Sequence, residues 1–208
     1  MENLPKLFQE CQKSLKATSC DTDQKEYMCS SALPVFDFDA LKDWYAKNYL
    51  QGVYMTPSSV DALWLDTEHL VFIEFKNGKI DGLKNSEIII KLYDSLLLLL
   101  DDKFDLSWCR ADFKPNISYT RENMDYILVY SKEKFQENPP TPQTERGWER
   151  QSQDSHHRTV IYKVFSNLGR KPLLLFGLDR FEGYLFRRVY TMDQSEFEQY
   201  LEACGVKS

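Results

Sequence analysis

The 208-residue chain lacks the short motifs that mark several large enzyme classes. It contains no Gly-x-x-x-x-Gly-Lys-Ser/Thr loop, no Gly-x-Gly-x-x-Gly turn, no His-Glu-x-x-His and no Gly-x-Ser-x-Gly. These absences argue against P-loop nucleotide hydrolysis, dinucleotide binding, this type of zinc protease chemistry and the α/β-hydrolases. The three histidines also offer little material for a histidine-based metal site or a catalytic triad.

Long hydrophobic runs and a paired set of cysteines are absent as well. Five cysteines are an odd number, which suits reduced thiols better than a disulfide framework. No apolar run approaches the ~20 residues that a membrane-spanning helix needs. The first residues do not form a charged-then-apolar signal segment. We therefore expect a cytoplasmic protein with no membrane partner.

The charge of the chain is unevenly distributed. A net charge of −6 argues mildly against nonspecific nucleic-acid binding by the whole surface. Between residues 157 and 190, however, seven basic residues outnumber two acids, so this stretch carries +5 and the remainder −11. A basic patch of this kind would suit a phosphate-bearing partner. Its basic residues are Arg158, Lys163, Arg170, Lys171, Arg180, Arg187 and Arg188, and its acids are Asp179 and Glu182.

The most informative stretch is 59–76, which reads as two apolar strands joined by a tight polar turn. Asp61 opens the first strand, and Glu74-x-Lys76 closes the second. Because side chains alternate along a strand, Glu74 and Lys76 share one face, about 7 Å apart. Two acids and a lysine at the ends of paired strands could hold a divalent cation and activate a water, as phosphodiester hydrolysis requires. The opposite, core-directed face is formed by Val71, Ile73 and Phe75.

Context makes this Glu-x-Lys informative, since the bare Asp/Glu-x-Lys pattern occurs four times in the chain. The other matches begin at Asp23, Asp101 and Asp112, in a polar stretch, at a helix end and before a proline. Only Glu74 lies on a β-branched and aromatic run whose hairpin partner carries its own acid. The alternative is that Glu74 and Lys76 lie on the wet face of an amphipathic strand.

The segments Val60-Asp61 and Ile73-Glu74-Phe75-Lys76, with the helix that follows, resemble the core of the PD-(D/E)XK, or restriction-endonuclease-like, nuclease superfamily. The resemblance covers roughly 37–131. The amino-acid sequence of this stretch is also similar to that of a smaller bacterial subgroup of the superfamily. It implies that Asp61 and Glu74 bind Mg²⁺ (or Mn²⁺) and that Lys76 orients or deprotonates the attacking water. Val60 replaces the proline that usually precedes the aspartate.

Two further residues are candidates on the same resemblance. Many members carry a glutamate on the helix before the hairpin, where this chain offers only Asp39 and Asp43; we take Asp43 as the candidate third metal ligand. Helices after the hairpin often supply a polar residue, which makes Lys91 a candidate catalytic residue. The alternative for Lys91 is a solvated helix face with an i,i+4 pair to Glu87.

The expected fold is α/β, with a restriction-endonuclease-like core in the order α-β-β-β-α-β and a C-terminal α-β-β-α extension. The core elements are a helix from Asp37 or Asp39 to Tyr49, strands at 52–56, 60–66 and 69–76, a helix at 85–100 and a strand at 124–131. Around them lie an N-terminal helix (4–15), a polar flexible loop (132–156) and a tail. The tail has a helix (157–167), two strands (173–178 and 184–190) and a last helix opened by a Ser195-x-x-Glu198 capping box. The resulting divisions are 1–35, 36–131, 132–156 and 157–208.

These features predict a Mg²⁺-dependent nuclease acting on DNA. The competing hypothesis is a catalytically inactive module of the same fold, acting in phage defence, as an immunity factor or as a complex subunit. A protein partner or a homodimer fits either hypothesis. Acids that converge on an open cleft would favour the enzyme, whereas a side chain that plugs the site would favour the module.

Overall fold

Helices and strands both occur in the computed structural model, which describes residues 5–51, 55–65, 69–78, 82–137 and 177–206. The N-terminal part contains α1 (Lys6–Glu10), β1 (Gln12–Ser14), α2 (Leu15–Thr18), β2 (Cys20–Asp21) and β3 (Glu26–Tyr27). The central part contains β4 (Pro34–Asp37), α3 (Phe38–Tyr49), β5 (Ala62–Leu65), β6 (Leu70–Lys76) and α4 (Gly82–Leu99). The remainder contains α5 (Ile117–Asn123), β7 (Met124–Tyr130), α6 (Lys132–Glu137), a 3-10 helix (Leu178–Phe181), β8 (Arg188–Asp193) and α7 (Gln194–Ala203).

A six-stranded mixed sheet in the order β1-β4-β5-β6-β7-β8 organises the described residues. The pairs from β1 to β6 are antiparallel, and β6, β7 and β8 run parallel. The antiparallel hairpin β5–β6 and the return to β7 through α4 and α5 give the α/β class expected from the sequence. Strands β2 and β3 form a separate two-stranded sheet.

Both faces of the sheet are covered by helices. On one face, Phe72 and Tyr126 lie in the same buried cluster as Ile88 and Leu92 of α4. On the other, Ile73 lies in a cluster with residues of α7. Every residue of β6 except the last is buried, which is typical of a strand covered on two sides. The alternative of a solvent-exposed face on this hairpin is therefore wrong, because α4 covers it.

The strongest sequence signals are confirmed. The hairpin forms with Ala62 opposite Ile73, and the helix after it spans Gly82–Leu99. Helix α3 begins where expected, since the side chain of its N-cap, Asp37, accepts a hydrogen bond from the backbone N–H of Ala40 at 3.1 Å.

The first strand of the predicted core is wrong in its position. Within the expected strand 52–56, the described residues Met55 and Thr56 are not extended in a sheet, and 52–54 lie outside the described residues. The strand beside the hairpin is β4, which precedes α3 and pairs through Phe36 opposite Leu63. The described core therefore begins with a strand rather than a helix.

The predicted N-terminal helix 4–15 is also wrong, because its described part contains α1, β1 and only the first residue of α2. Strand β1 pairs with β4, with Gln12 opposite Phe36, and closes the edge of the sheet. Pairing with this edge outweighs the helical periodicity of the sequence.

The tail differs from the prediction in where its strand and its last helix begin. Strand β8 spans Arg188–Asp193 rather than 184–190, and it pairs in parallel with β7, so the tail extends the same sheet. The capping box of α7 is made by Asp193 and Glu196 and not by Ser195 and Glu198.

Three further expectations concern the C-terminal half of the chain, which the structure describes only in part. Residues 132–137 form α6, whereas they were expected in a loop, and Leu178 belongs to the 3-10 helix. The rest of the loop at 138–156, the helix 157–167 and strand residues 173–176 lie outside the described residues. In the described part of the chain, no helix is both long and apolar enough to cross a bilayer.

Candidate functional site

Asp61 and Glu74 converge on a single ammonium group. The hairpin register pairs Ala62 with Ile73, so Asp61, one residue earlier, lies beside Glu74 on the neighbouring strand. Lys91 of α4 places its Nζ 2.7 Å from Glu74 Oε1 and 3.5 Å from Asp61 Oδ1. Two carboxylates from adjacent strands thus share one cation.

The segment that carries Asp61 is attached to the same helix. The backbone N–H of Val60 donates to Ser95 Oγ at 2.8 Å, and the backbone N–H of Ser58 donates to Asp94 Oδ2 at 2.8 Å. Together with Lys91, these residues occupy one face of α4 at i, i+3 and i+4. Helix α4 therefore positions the acid pair through both side chain and backbone.

The acid pair has an unusual affinity for protons. Burial raises the pKa of Glu74 to about 8, and the charge of Asp61 adds to this. Burial likewise raises the pKa of Asp61 to about 6, against the lowering effects of Lys91 and of the Phe75 backbone N–H, which donates to Asp61 Oδ2 at 2.6 Å. Desolvation alone would lower the pKa of Lys91, but the two carboxylates outweigh it and raise that pKa. One cation facing two buried acids explains why the pair holds a proton near neutral pH.

Lys76 lies on the same face of β6 as Glu74 but has a different partner. Its Nζ lies 3.3 Å from Glu87 Oε2, whose side chain is 60% exposed. The alternative of a Glu87–Lys91 pair along α4 is wrong, because Glu87 binds Lys76 and Lys91 binds the buried acids. Two lysines therefore flank the site: Lys91 lies between the two buried acids, and Lys76 pairs with an exposed glutamate.

Of the two acids on α3, Asp39 rather than Asp43 is associated with the site. The Asp43 side chain is 73% exposed and its carboxylate lies 3.1 Å from Lys42. Asp39 accepts a hydrogen bond from Ser59 Oγ, two residues before Asp61. Burial is the main cause of the raised pKa of Asp61, and the charge of Asp39 contributes to it. The structure therefore does not support Asp43 as the third ligand.

The donor atoms at the acid pair fit a hard divalent cation. Glu74 Oε2 is buried and has no hydrogen-bond partner in the structure, so it is an oxygen with an unused lone pair. Magnesium is commonly held by one or two carboxylates, with waters and substrate phosphates as its other ligands. Among the described residues there is no cluster of three or more His, Cys, Asp or Glu side chains that could hold a metal. Asp61 and Glu74 would thus be its protein ligands, with Asp39 acting through its charge.

Substitution of the two α3 acids should separate their roles. We expect Asp39→Asn to lower Mn²⁺ affinity several-fold, because it removes a negative charge near Asp61. Asp43→Asn should leave the affinity unchanged, since its side chain is 73% exposed and it is Asp39, not Asp43, that binds Ser59 beside the site. Titration of Mn²⁺ by electron paramagnetic resonance would measure both, and an effect of Asp43→Asn larger than that of Asp39→Asn would reverse the assignment.

Tyr126 is a buried polar neighbour that the sequence analysis did not single out. Its hydroxyl is buried and has no hydrogen-bond partner in the structure. Burial raises the pKa of this phenol well above its ordinary value, followed by the charges of Glu74 and Asp61. The available signal was alternation along β7, which places Tyr126 on the sheet face that also carries Glu74. The contacts of Asp94 and Ser95 with the 58–61 segment had no comparable signal.

The basic patch is largely neutralised where the structure describes it. Arg187 binds the buried Asp125 through two hydrogen bonds, Nε to Oδ1 at 3.0 Å and Nη2 to Oδ2 at 2.7 Å. Arg188 Nη1 lies 3.4 Å from Glu182 Oε1. Arg180 is also described, and its guanidinium lies over the Phe181 ring, 4.6 Å from the ring centroid. The other members, at 158, 163, 170 and 171, lie outside the described residues. The described part of the patch therefore gives no support to a phosphate-binding surface.

A groove of about 660 Å³ lies apart from the acid pair. Its walls come from the segment around Tyr27, from the start of α6 at Lys132 and from the first turn of α7. Asp61, Glu74 and Lys91 do not line it. The acid pair is instead closed over by α4, with the Asp61 side chain 16% exposed and that of Glu74 fully buried.

Comparison with known proteins leaves this geometry as the basis for a functional assignment. The chain matches no protein-family model, no curated protein and no solved structure.

Proposed function

We propose that this chain is a Mg²⁺-dependent nuclease with a restriction-endonuclease-like core, hydrolysing phosphodiester bonds in DNA. The observation that carries the proposal is the convergence of Asp61 and Glu74, from adjacent strands, on one cation position. Support for the core comes from the antiparallel hairpin followed by a parallel crossover strand, with α4 on the face that bears the acids.

Each residue has a defined part in this proposal. Asp61 and Glu74 would hold Mg²⁺ or Mn²⁺ through carboxylate oxygens, and Asp39 would strengthen the negative field around them. Such a cation supplies positive charge to the scissile phosphate and acidifies a bound water. Lys76, whose partner Glu87 is exposed, would orient the attacking water and stabilise the anionic phosphate. Glu87 keeps the ammonium of Lys76 on the acid-bearing face of the sheet.

The reaction would be an ordinary hydrolysis. The water oxygen bonds to phosphorus as the bond between phosphorus and the leaving deoxyribose oxygen breaks. The water gives up one proton, and the leaving oxygen gains one from solvent. The chain therefore needs no oxidant, reductant or second substrate.

A second candidate is a nuclease-fold module without activity. It is favoured by the position of Lys91, whose ammonium fills the space between the two acids, and by the complete burial of Glu74. In that case Lys91 would serve as a permanent structural counterion. Binding of a divalent cation at the acid pair separates the two candidates.

The proposal is tested by incubating the purified protein with supercoiled, linear and single-stranded DNA, and with RNA, in Mg²⁺, Mn²⁺ or EDTA. We expect cleavage of DNA that depends on the metal. Lys76→Met should reduce the rate by about 10²–10³-fold, because it removes a positive charge that acts on the transition state.

Lys132→Met is the matched control, because Lys132 also pairs with a carboxylate, that of Asp193 at 2.8 Å, but has no part in the proposed site. It should retain at least half of the wild-type rate. No metal-dependent cleavage of any substrate, together with no Mn²⁺ binding, would reject the nuclease and leave the inactive module.

A further inference from the structure

The ammonium of Lys91 lies where a metal bound to the two acids would have to be. Its two close contacts are Glu74 Oε1 and Asp61 Oδ1, one oxygen from each candidate ligand. Its side chain is only 28% exposed. It projects from a helix turn anchored by the fully buried Ile88 and Leu92. The backbone of Lys91 is thus held in place, and only its flexible side chain can leave.

The remaining carboxylate oxygens do not provide a separate position. Asp61 Oδ2 already accepts the backbone N–H of Phe75 at 2.6 Å. Glu74 Oε2 has no hydrogen-bond partner, but a cation bound there would still need Asp61 Oδ1 to join the two acids, and Lys91 contacts that oxygen. A divalent cation that joins the two acids must therefore take at least one oxygen that the ammonium now contacts, and two cations this close repel each other strongly.

We propose that Lys91 is a built-in competitor of the metal: its ammonium occupies the ligand oxygens of Asp61 and Glu74, and a divalent cation binds only when the Lys91 side chain swings away. The inference rests on the proposed function and adds a regulation of the same site. It explains how two buried acids are kept paired within the fold. It also predicts that the wild-type chain binds divalent metal more weakly than the acid pair alone would.

The first experiment compares the Mn²⁺ affinity of wild type, Lys91→Met and Lys132→Met by electron paramagnetic resonance at one pH and ionic strength. Lys91→Met should bind Mn²⁺ at least tenfold more tightly, since it removes the competing charge and keeps a side chain of similar length. Lys132→Met is the control because it removes a lysine paired with another carboxylate, that of Asp193, at 2.8 Å. Its affinity should equal that of wild type.

The second experiment uses wild type alone and so does not depend on the variant being folded. Amine acetylation by a water-soluble ester, read by peptide mass spectrometry, reports how accessible each lysine is. Saturating Mn²⁺ should raise the acetylation rate of Lys91 at least threefold while that of Lys132 stays constant.

The outcomes distinguish failure of the proposed competition by Lys91 from failure of the proposed nuclease function. If wild type binds Mn²⁺ and cleaves DNA, but the Lys91 acetylation rate does not change and Lys91→Met binds no more tightly, the competition is wrong and the nuclease stands. If Lys91→Met is unfolded, an unchanged acetylation rate in metal-saturated wild type overturns the inference. If neither wild type nor a folded Lys91→Met binds Mn²⁺, the proposed function fails and the inference fails with it.

Discussion

Replacing Lys91 with methionine should cost about 3–5 kcal/mol of unfolding free energy at pH 7.5, among the largest losses any single substitution causes. The variant would leave Asp61 and Glu74 facing each other without a counterion in a buried position. Removing one partner of a buried ion pair leaves an uncompensated charge, whereas an exposed pair contributes little. The loss should shrink at pH 5, where both carboxyls can take up protons.

The matched control for this prediction is Lys76→Met. Lys76 is also a lysine on the acid-bearing face, but its partner Glu87 is 60% exposed, so its loss should cost no more than about 1 kcal/mol. Urea denaturation at pH 5 and pH 7.5 would measure both variants. Equal destabilisation by the two substitutions would contradict the view that Lys91 neutralises a buried acid pair.

Replacing Glu74 with glutamine should remove much of the pH dependence of stability between pH 5.5 and 8.5. The folded pKa of Glu74 is raised from 4.5 to about 8, so the folded protein holds this proton more tightly than the unfolded chain. The resulting stabilisation is complete below about pH 4.5 and is lost as the pH rises toward 8. Asp61, raised to about 6, contributes in the same direction over a lower window.

The variant and wild type should therefore be similarly stable below about pH 4.5 and diverge above it. Glutamine mimics the protonated acid and leaves Lys91 paired with Asp61 alone, so at pH 8.5 the variant should be more stable by about 2–4 kcal/mol. Glu87→Gln, which changes an exposed acid in the same way, should follow wild type at every pH. A constant difference between Glu74→Gln and wild type across the range would show that Glu74 does not titrate there.

The fold could be predicted from the sequence where periodicity and burial agree. The run 70–76 has five apolar residues and is buried up to Phe75, and together with Asp37 as a helix cap it located the hairpin and α3. Strand β4 was missed because it has only four residues and runs directly into that cap. Its extended form is set by pairing with Leu63, which is a tertiary contact.

The register of the last helix shows a different limit. Both Asp193-x-x-Glu196 and Ser195-x-x-Glu198 satisfy the capping pattern, two residues apart. The pairing of β8 with β7 continues to Asp193 opposite Tyr130, so the chain can turn into a helix only after that residue. Local sequence defines the motif, and the sheet selects between its two copies.

The candidate site could likewise be predicted from the sequence only in part. Strand alternation and the hairpin register were sufficient to bring Asp61 and Glu74 together. Sequence alone could not choose the partner of Lys91, because spacing along the helix favours Glu87 by i,i+4. Two desolvated carboxylates attract an ammonium more strongly than one exposed glutamate does. That difference depends on burial, which only the folded chain defines.

Helix α4 defines the site by the spacing of its contact residues along the helix as well as by their residue types. Glu87, Lys91, Asp94 and Ser95 all contact the hairpin region from one side of the helix. Successive residues in an α-helix are about 100° apart. One residue inserted between Glu87 and Lys91 would therefore rotate Glu87 away from the helix face that carries Lys91, Asp94 and Ser95. Such an insertion would leave every functional residue type in place and still dismantle the site. Relatives that keep this chemistry should therefore preserve the spacing of these four positions more strictly than the length of the loops around them.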